Sequence, residues 1–379
     1  MKTHSSRLRQ VDWSFSTANT QGGPHGIHPY PAKFIPQIPR QLLSLFSLPE
    51  KTVVLDPFCG SGTTLVEAML AGLPSIGIDL SPLACLIAKV KTTPLMMATL
   101  NTARAVRCAA ELRLKTHDYE IPDIPRINHW FRPEIQEALA ALIAAINCVS
   151  DQHERDALRV AFSSIVVRVS NQESDTRYAA VEKAVTPREV FALFEARALN
   201  LIRATFAVDG GLLGTGPTPH IINQDILTVT AKQIPRTVGL VVTSPPYPNA
   251  YEYWLYHKYR MYWLGMDPVA VREREIGARP HFFKKNGHTP RHFLTQMATV
   301  FSLLSQVMHR HGVACFLIGR SIIGGKAIDN LALLQEAAQR HRFVLSDQIE
   351  RTIRRTRKAF NLSHAAIERE HIAVFGREQ

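Results

Sequence analysis

The sequence lacks any long hydrophobic run: its 379 residues contain no stretch of about 18 apolar residues, the length that a membrane-spanning helix requires. The segment Met1–Arg7 has none of the apolar character of a signal peptide. Internal repeats and low-complexity tracts are also missing. We therefore expect a protein with no membrane span and no membrane partner, and the apolar fraction of 46% is ample for a core.

Cysteine is scarce as well. The five cysteines are scattered and odd in number, which does not suit a disulfide framework and fits the reducing cytoplasm. No Cys-x-x-Cys pair occurs, and no cluster of metal-ligand residues stands out. We expect a cytoplasmic protein without a metal ion.

Positive charge is in excess, with 44 Lys and Arg against 32 Asp and Glu, a net charge of +12. This balance suits a polyanionic partner such as nucleic acid, although a generic basic protein has the same balance. Two basic segments suit phosphate contacts, and a solvated surface explains either of them nearly as well. The candidate DNA-binding residues in these segments are Lys284, Lys285, Arg354 and Arg355.

A strand, a tight turn and a helix follow one another near the start of the chain. The run Val53–Leu55 reads as a buried strand, and Leu65–Ala71 reads as the beginning of a helix. Between them lie Gly60 and Gly62. Glycine lets the backbone approach a ligand closely, and the N–H groups at the start of the helix face that ligand.

A second strand, at residues 74–78, ends in Asp79. This acid lies roughly 20 residues beyond the turn, where a doubly wound fold places a carboxylate on ribose hydroxyls. Strands and helices alternate both before and after residues 96–212, where Ala-rich and Leu-rich helical patterns dominate. The pattern predicts an α/β protein with a doubly wound, parallel sheet and an all-helical insertion.

Two motifs carry a more specific signal. The first is Asp56-Pro-Phe-Cys-Gly-Ser-Gly-Thr-Thr64, and the second is Thr243-Ser-Pro-Pro-Tyr247. Together they resemble the cofactor and catalytic motifs of the S-adenosylmethionine-dependent DNA amino-methyltransferases, of the cytosine-N4 type with a Ser-Pro-Pro-Tyr motif. The resemblance implies a Rossmann-like methyltransferase fold. The helical insertion matches no element of that family.

The resemblance implies a set of residues that bind S-adenosylmethionine: Lys33, Asp56, Phe58, Gly60, Gly62, Thr63, Asp79 and Asp225. Asp79 would bind the ribose and Asp225 the adenine, although Asn223 or Gln224 could replace Asp225 in that role. Lys33 follows a Pro-Tyr-Pro segment and would face the methionine end of the cofactor. A solvated surface lysine is the alternative.

The catalytic residues that the resemblance implies are Ser244, Pro245, Pro246 and Tyr247. The exocyclic amine of a base is a poor nucleophile, because its lone pair is delocalised into the ring. The Ser244 hydroxyl and the Pro245 carbonyl can accept hydrogen bonds from that amine and free the lone pair. Tyr247 would stack on a base rotated out of the duplex, and no covalent cysteine intermediate is needed.

The expected reaction is therefore methylation of the N4 amino group of cytosine in a specific duplex sequence, by base flipping and direct in-line transfer. Adenine-N6 methylation and methylation of an exocyclic amine in RNA stay open, as does a nucleic-acid-binding protein that keeps the cofactor pocket without turnover. Double-stranded DNA is the expected partner, with a cognate restriction endonuclease as a further one. The expected setting is a bacterial or archaeal cell, close to the nucleoid.

The predicted organisation has four parts: an extended N-terminal arm (1–24), the cofactor-binding half (25–95), the helical insertion with a DNA-contacting role left open (96–212), and the catalytic half (213–379). The aromatic stretch at residues 251–263 follows the second motif. Core packing explains about half of its rings, and the first of them could shape a base pocket.

Overall fold

The structure is a computed structural model that describes residues 2–31, 33, 35–175, 177–206, 216–249, 252–282, 287–353 and 369–378. Among these residues, no helix is long and apolar enough to cross a membrane.

Within the described ranges, seven strands form one central sheet, and four short strands form two separate hairpins. In chain order the strands are β1 (Val53–Asp56), β2 (Ser75–Asp79), β3 (Gln172–Ser174), β4 (Arg177–Ala180), β5 (His220–Asn223), β6 (Val238–Thr243), β7 (Met308–Gly319), β8 (Ser321–Ile323), β9 (Lys326–Ile328), β10 (Phe343–Thr352) and β11 (Arg369–Arg377). The order across the sheet is β10-β11-β7-β6-β1-β2-β5. Strand β11 runs antiparallel to both of its neighbours and the other pairs are parallel, so the predicted doubly wound, parallel architecture is confirmed.

The helices surround this sheet and form a separate helical layer. In chain order they are α1 (Lys2–Arg9), α2 (Gln37–Leu45), α3 (Thr63–Leu70), α4 (Pro82–Lys91), α5 (Thr99–Thr116), α6 (Ile127–Trp130), α7 (Pro133–Asn147), α8 (Gln152–Val169), α9 (Pro187–Phe206), α10 (Tyr253–Trp263), α11 (Pro268–Arg274), α12 (Pro290–Val307) and α13 (Asn330–Gln339).

The central strands are short and apolar because both of their faces are covered. Every residue of β1 and β6 is buried, as expected for parallel strands between two layers of helices. On one face, side chains such as Leu42 and Ala68 pack against the sheet. On the other face, Phe301 and Leu334 do so. The sheet is therefore a rigid base for the residues at its edges.

Helices α5 to α9 form the predicted helical region, with one difference from the expectation. The polar segment between α8 and α9 is a β-hairpin, β3–β4, so the insertion is not entirely helical. The hairpin is held on α10, since Asp175 forms an ion pair with the fully buried Arg260. The hydroxyls of Tyr178 and Tyr259 also lie 3.0 Å apart.

The N-terminal segment is not the extended arm that its polar composition predicts. It begins with α1 and continues through turns, and both Leu8 and Trp13 are buried against the sheet. The Trp13 indole N–H donates to the Leu8 carbonyl at 2.8 Å, and the Arg351 side chain donates to the Trp13 carbonyl. Burial of these apolar side chains and the hydrogen bond from Arg351 hold this segment against the domain.

Candidate active site

The candidate site lies where the winding direction of the sheet reverses. Strand β1 has β2 on one side and β6 on the other, and all three run in parallel. Their carboxyl ends carry Asp56, Asp79 and Thr243. In an open α/β sheet, ligands bind in the crevice at this position. Parallel pairing thus brings together the two motifs that the sequence separates.

The turn after β1 depends on two glycines in the left-handed backbone region, Gly60 at φ 50° and Gly62 at φ 78°. Gly62 immediately precedes α3, and a Cβ atom there would lie 2.7 Å from the Cβ of Ala88. Both the backbone conformation and the close approach of α4 exclude larger residues. The predicted strand–turn–helix unit is confirmed, with β1 and α3 on either side of the turn.

Asp79 connects the turn after β1 with the start of α4. One carboxylate oxygen accepts from the Gly60 N–H at 2.8 Å, and the other accepts from the Ser81 N–H at 2.8 Å. Burial raises the pKa of Asp79 to about 6, against the opposing effect of these two hydrogen bonds. Each oxygen keeps a second lone-pair direction, so the carboxylate can still accept from a ligand.

Asp56 lies directly beneath the site and is fully buried. Its Oδ1 accepts from the Thr243 hydroxyl at 2.6 Å and from the Phe58 N–H at 3.1 Å. Burial raises its pKa to about 6, and the Thr243 hydrogen bond acts in the opposite direction. The second oxygen is buried and has no hydrogen-bond partner among the described residues.

A cleft opens above these strand ends, with about 870 Å³ of empty space when its open mouth is included. Eight of the residues predicted for the site line it: Lys33, Phe58, Gly60, Thr63, Asp79, Asp225, Ser244 and Pro246.

The remaining predicted residues lie behind the cleft wall. Asp56 and Pro245 are buried, and Gly62 forms the start of α3. Tyr247 is buried too, within the core on one face of the sheet. Its hydroxyl donates to the Leu317 carbonyl at 3.3 Å and to Glu370 at 3.2 Å. In this arrangement the Tyr247 ring is part of the core, and its stacking on a base stays a prediction.

Lys33 is not the solvated surface lysine of the alternative interpretation. Its ammonium donates to the His25 carbonyl, and burial lowers its pKa to about 8. Asp225 is buried and its carboxylate accepts from the Leu227 N–H at 3.0 Å.

The two alternatives to Asp225 differ in position. The Asn223 amide donates to the carbonyls of Asp79 and Leu80, whereas Gln224 lines the cleft. Gln224 therefore stays a candidate beside Asp225 for contacting the cofactor adenine.

Tyr30 and Glu275 also line the cleft although the sequence reasoning did not single them out, whereas Tyr253 belongs to the aromatic stretch whose first rings were expected to shape a base pocket. The two tyrosine rings stack with their centroids 6.2 Å apart. Both oxygens of Glu275 accept from the first backbone N–H groups of α10, those of Tyr253 and Trp254, at 2.9 Å. Burial raises the Glu275 pKa to about 8. Tyr30 lies in the Pro-Tyr-Pro segment before Lys33, which was a usable signal; Glu275 lies in an ordinary polar stretch, which had none.

The chemistry of the cleft fits S-adenosylmethionine. Apolar side chains of Phe58, Leu80 and Ile226 offer walls for a flat adenine ring. Asp79 offers a carboxylate for ribose hydroxyls, and Gly60 allows close approach of the backbone. Among the described residues, no three His, Cys, Asp or Glu side chains are grouped so that they could hold a metal ion.

The four predicted DNA-binding residues lie outside the described residues. They are Lys284, Lys285, Arg354 and Arg355. Their proposed contacts with phosphates stay a prediction from sequence.

Comparison with known proteins agrees with this site. Residues 2–90 match the family model described as DNA methylase, of the N6/N4 methyltransferase type. Type II methyltransferase M.MvaI of Kocuria varians is 34% identical over 170 residues, 42% of this chain and 37% of that protein. Type II methyltransferase M.MjaII of Methanocaldococcus jannaschii is 56% identical over 68 residues, 18% of this chain and 12% of that protein.

Type II methyltransferase M.BsoBI of Geobacillus stearothermophilus is 22% identical over 283 residues, 68% of this chain and 55% of that protein. The chain thus spans at most 55% of the length of these three relatives. The family match covers the turn after β1 and Asp79, the residues that form one wall of the cleft. These matches support a relationship to the DNA amino-methyltransferases.

Proposed function

We propose that this protein transfers a methyl group from S-adenosylmethionine to the N4 amino group of cytosine within a specific sequence of duplex DNA. The observation that carries the proposal is the joining of two motifs in one cleft. Ser244 lines the same cleft as Asp79 and Gly60, although the two motifs are far apart in sequence. The cofactor supplies an electrophilic methyl group, and the chain must supply the geometry.

The turn after β6 provides the acceptor groups. Ser244 directly follows the last residue of β6, and Thr243 anchors that strand end to Asp56. The Ser244 hydroxyl accepts a hydrogen bond from the exocyclic amine, which makes the nitrogen lone pair available for attack. The rigid sheet beneath it keeps this acceptor in place, and such positioning is a large part of the rate enhancement.

The target base is turned out of the duplex to reach this cleft. Tyr30 and Tyr253 provide aromatic surfaces at the cleft wall. Tyr247 is the stacking residue implied by the resemblance, and its ring would have to leave the core to take that role. Stacking on a tyrosine is sequence-tolerant, so the identity of the methylated base depends on polar groups such as Ser244.

A product analysis tests the base assignment. Purified protein, S-adenosylmethionine and duplex DNA are incubated, the DNA is digested to nucleosides, and the methylated species is identified by mass. We expect 4-methylcytosine. Predominant 6-methyladenine would refute the cytosine assignment and leave the methyltransferase family unaffected.

A variant pair tests the role of Ser244. Ser244→Ala should slow product formation by about 10²-fold or more, the usual cost of removing one preorganised polar group. Ser305→Ala is the matched control, because the Ser305 hydroxyl donates to a carbonyl within α12. An Ser244→Ala protein as fast as the control would remove Ser244 from the mechanism.

Two other functions are tested in the same experiment. Methylated RNA with unmodified DNA would point to an exocyclic-amine methyltransferase acting on RNA. Binding of cofactor and DNA without transfer of a labelled methyl group would point to a binding protein.

We also propose a cognate restriction endonuclease as the functional partner of this methyltransferase. In that arrangement methylation protects the sequence that the endonuclease cuts. Sequencing of modified bases in DNA from cells that express the protein identifies that sequence.

We also propose that four basic residues contact the phosphates of the DNA: Lys284, Lys285, Arg354 and Arg355. Each contact adds about −0.9 to the slope of log K against log salt concentration. Arg354→Glu combined with Arg355→Glu should flatten the slope and weaken binding to all duplexes alike. Loss of affinity for the cognate sequence alone would mean that these residues contact bases instead.

A further inference from the structure

A small hairpin stands beside the proposed catalytic turn. Strands β8 and β9 pair antiparallel directly after β7, which ends at the same edge of the sheet as β6. The tip is Gly324-Gly325, with φ of 57° and 77°. Positive φ at both positions is typical of the tight type I′ hairpin turn. A Cβ atom on either glycine would meet nothing within 4 Å, so the tip projects away from the protein.

The base of the hairpin is rigidly attached. The fully buried Asn330 amide donates to the Gly319 carbonyl at 2.8 Å and to the Ser321 hydroxyl at 2.7 Å. These bonds fix the point where the chain leaves β7. The hairpin is therefore an ordered projection whose base is part of the core.

The hairpin is also connected to the proposed catalytic turn. The Asn249 side-chain amide donates to the Ile322 carbonyl at 2.6 Å. Asn249 lies two residues after Tyr247 and has a positive φ of 57°. The loop that follows the Ser-Pro-Pro-Tyr turn and the hairpin strand thus share a hydrogen bond.

The hairpin exposes apolar side chains on one face, and two basic residues are exposed close to them. Ile322 is 44% exposed, and its cross-strand partner Ala327 is exposed beside it. Arg320 is exposed just before the hairpin, and Lys326, which pairs with Ile323, is exposed next to the tip on the opposite face. The nearest acid in the sequence, Asp329, accepts from the first N–H groups of α13. The positive charge of the hairpin is thus suited to a polyanion.

We propose that this hairpin inserts into the duplex at the target base, with Ile322 as an apolar wedge and with Arg320 and Lys326 on the flanking phosphates. Apolar side chains that unstack base steps, next to cations that contact phosphates, are a recurrent way for proteins to distort DNA. The hairpin acts on the same DNA site as the cleft, so this inference rests on the proposed function. Ile322 is a positioning residue, since it stabilises the turned-out base and does not contact the reacting nitrogen.

The test uses the full-length protein and a duplex that contains its methylated sequence. Ile322→Ala should lower the methylation rate on the fully paired duplex by about tenfold or more, because unstacking costs a few kcal/mol per step. The same variant should methylate at nearly the normal rate when the target base is mismatched, because a mismatched base is already partly unstacked. Its affinity for S-adenosylmethionine should stay unchanged.

The matched control is Val344→Ala. Val344 is also β-branched and 38% exposed, but it lies on β10 opposite Gly376, whose partner Val313 is six residues before the end of β7 that leads into the hairpin. This variant should be as fast as the unmodified protein on both duplexes.

The outcomes separate the two proposals. An Ile322→Ala protein with the normal rate on the paired duplex, or with equal reductions in rate on paired and mismatched duplexes, overturns the wedge. Unmodified protein that methylates no duplex, or that methylates only RNA, overturns the proposed function and the wedge with it.

A separate measurement, the salt dependence of DNA binding, tests the two basic residues Arg320 and Lys326. Replacing Arg320 and Lys326 by Gln should reduce the salt slope of duplex binding by about 0.9 for each phosphate that the protein no longer neutralises. Lys51→Gln should leave the slope unchanged, because Lys51 is exposed just before β1, at the opposite edge of the sheet. An unchanged slope in the double variant would show that the hairpin does not touch the DNA backbone.

Discussion

The hydroxyl of Thr243 donates to Oδ1 of Asp56 at 2.6 Å, and this buried hydrogen bond joins two strand ends that are 187 residues apart in the chain. It connects the cofactor motif directly with the proposed catalytic motif. Because Ser244 is the next residue, the bond also helps to fix the backbone position of Ser244. The relative position of the two motifs therefore depends on a side-chain contact as well as on strand pairing.

Thr243→Val removes this hydroxyl and keeps the shape of the side chain. We expect the free energy of unfolding to fall by about 1–3 kcal/mol, because Asp56 loses a buried donor. Thr205→Val is the control: Thr205 is equally buried, but its hydroxyl donates to the Leu201 carbonyl within α9. Urea denaturation of both variants gives the comparison, and equal decreases would contradict the special role of Thr243.

Gly62 and Gly72 form a second matched pair. Both have a positive φ, 78° and 71°, but only a Cβ on Gly62 would clash, 2.7 Å from the Ala88 Cβ. Gly62→Ala should therefore destabilise the protein by about 1–3 kcal/mol more than Gly72→Ala, the usual cost of overpacking. It should also weaken cofactor binding. Thermal unfolding and calorimetric titration measure the two effects, and similar values for both variants would argue against the close contact between the turn and α4.

Asp79→Ala should weaken S-adenosylmethionine binding by about 1.5–3 kcal/mol, the range for hydrogen bonds to charged groups. The matched control is Asp118→Ala, which removes a surface carboxylate paired with Arg113. Titration calorimetry on both folded variants tests the assignment. Unchanged affinity in Asp79→Ala would show that another group binds the ribose.

The pH dependence of cofactor affinity follows from the raised pKa of Asp79, about 6. Above this pKa the carboxylate is ionised and can accept from both ribose hydroxyls; below it, one oxygen carries a proton. Affinity should thus fall about fourfold between pH 7.5 and 5.5, the ratio of ionised fractions for a pKa near 6. Asp79→Asn should show little change over the same range. A persistent slope in that variant would assign the titration to Asp56, whose pKa is also about 6.

The raised pKa of Glu275 predicts that the free energy of unfolding depends on pH. Its folded-state pKa of about 8 is above the ordinary value of 4.5, so the folded protein holds this proton more tightly than the unfolded chain does. The stability that Glu275 contributes is complete below about pH 4.5 and is lost as the pH rises through 8. The free energy of unfolding of the unmodified protein, relative to Glu275→Gln, should therefore decrease over this range. A constant difference would mean that Glu275 ionises normally.

Local patterns were sufficient for much of the fold. The runs of β-branched and other apolar residues predicted β1 and β2, because a strand buried on both faces must be almost wholly apolar. Ser81 followed by Pro82 is typical of a helix start, and the Ser81 hydroxyl accepts from the Ala84 N–H at the start of α4. The prediction of an extended N-terminal arm was wrong, because it rested on polar composition. Leu8 and Trp13 in that segment are buried against the sheet.

Some residues of the candidate site could likewise be predicted from local sequence, and others could not. Gly60, Gly62 and Asp79 could be predicted from the sequence alone, because a glycine turn and an acid at a strand end are local features with local physical reasons. Glu275 and the core position of Tyr247 could not. Their surroundings come from α10, β7 and β11, segments far from them in sequence, and no local pattern encodes which of these will pack there.

By itself, then, the sequence determined the strand–turn–helix unit, the cofactor motif and the residue types at the end of β6. Only the tertiary structure decided that the two motifs share a cleft, that Lys33 is half-buried at its wall, and that a hairpin stands beside it. The physical reason is that propensity and periodicity act over a few residues. Burial, pKa and the contact between Thr243 and Asp56 depend on the complete packing of the chain.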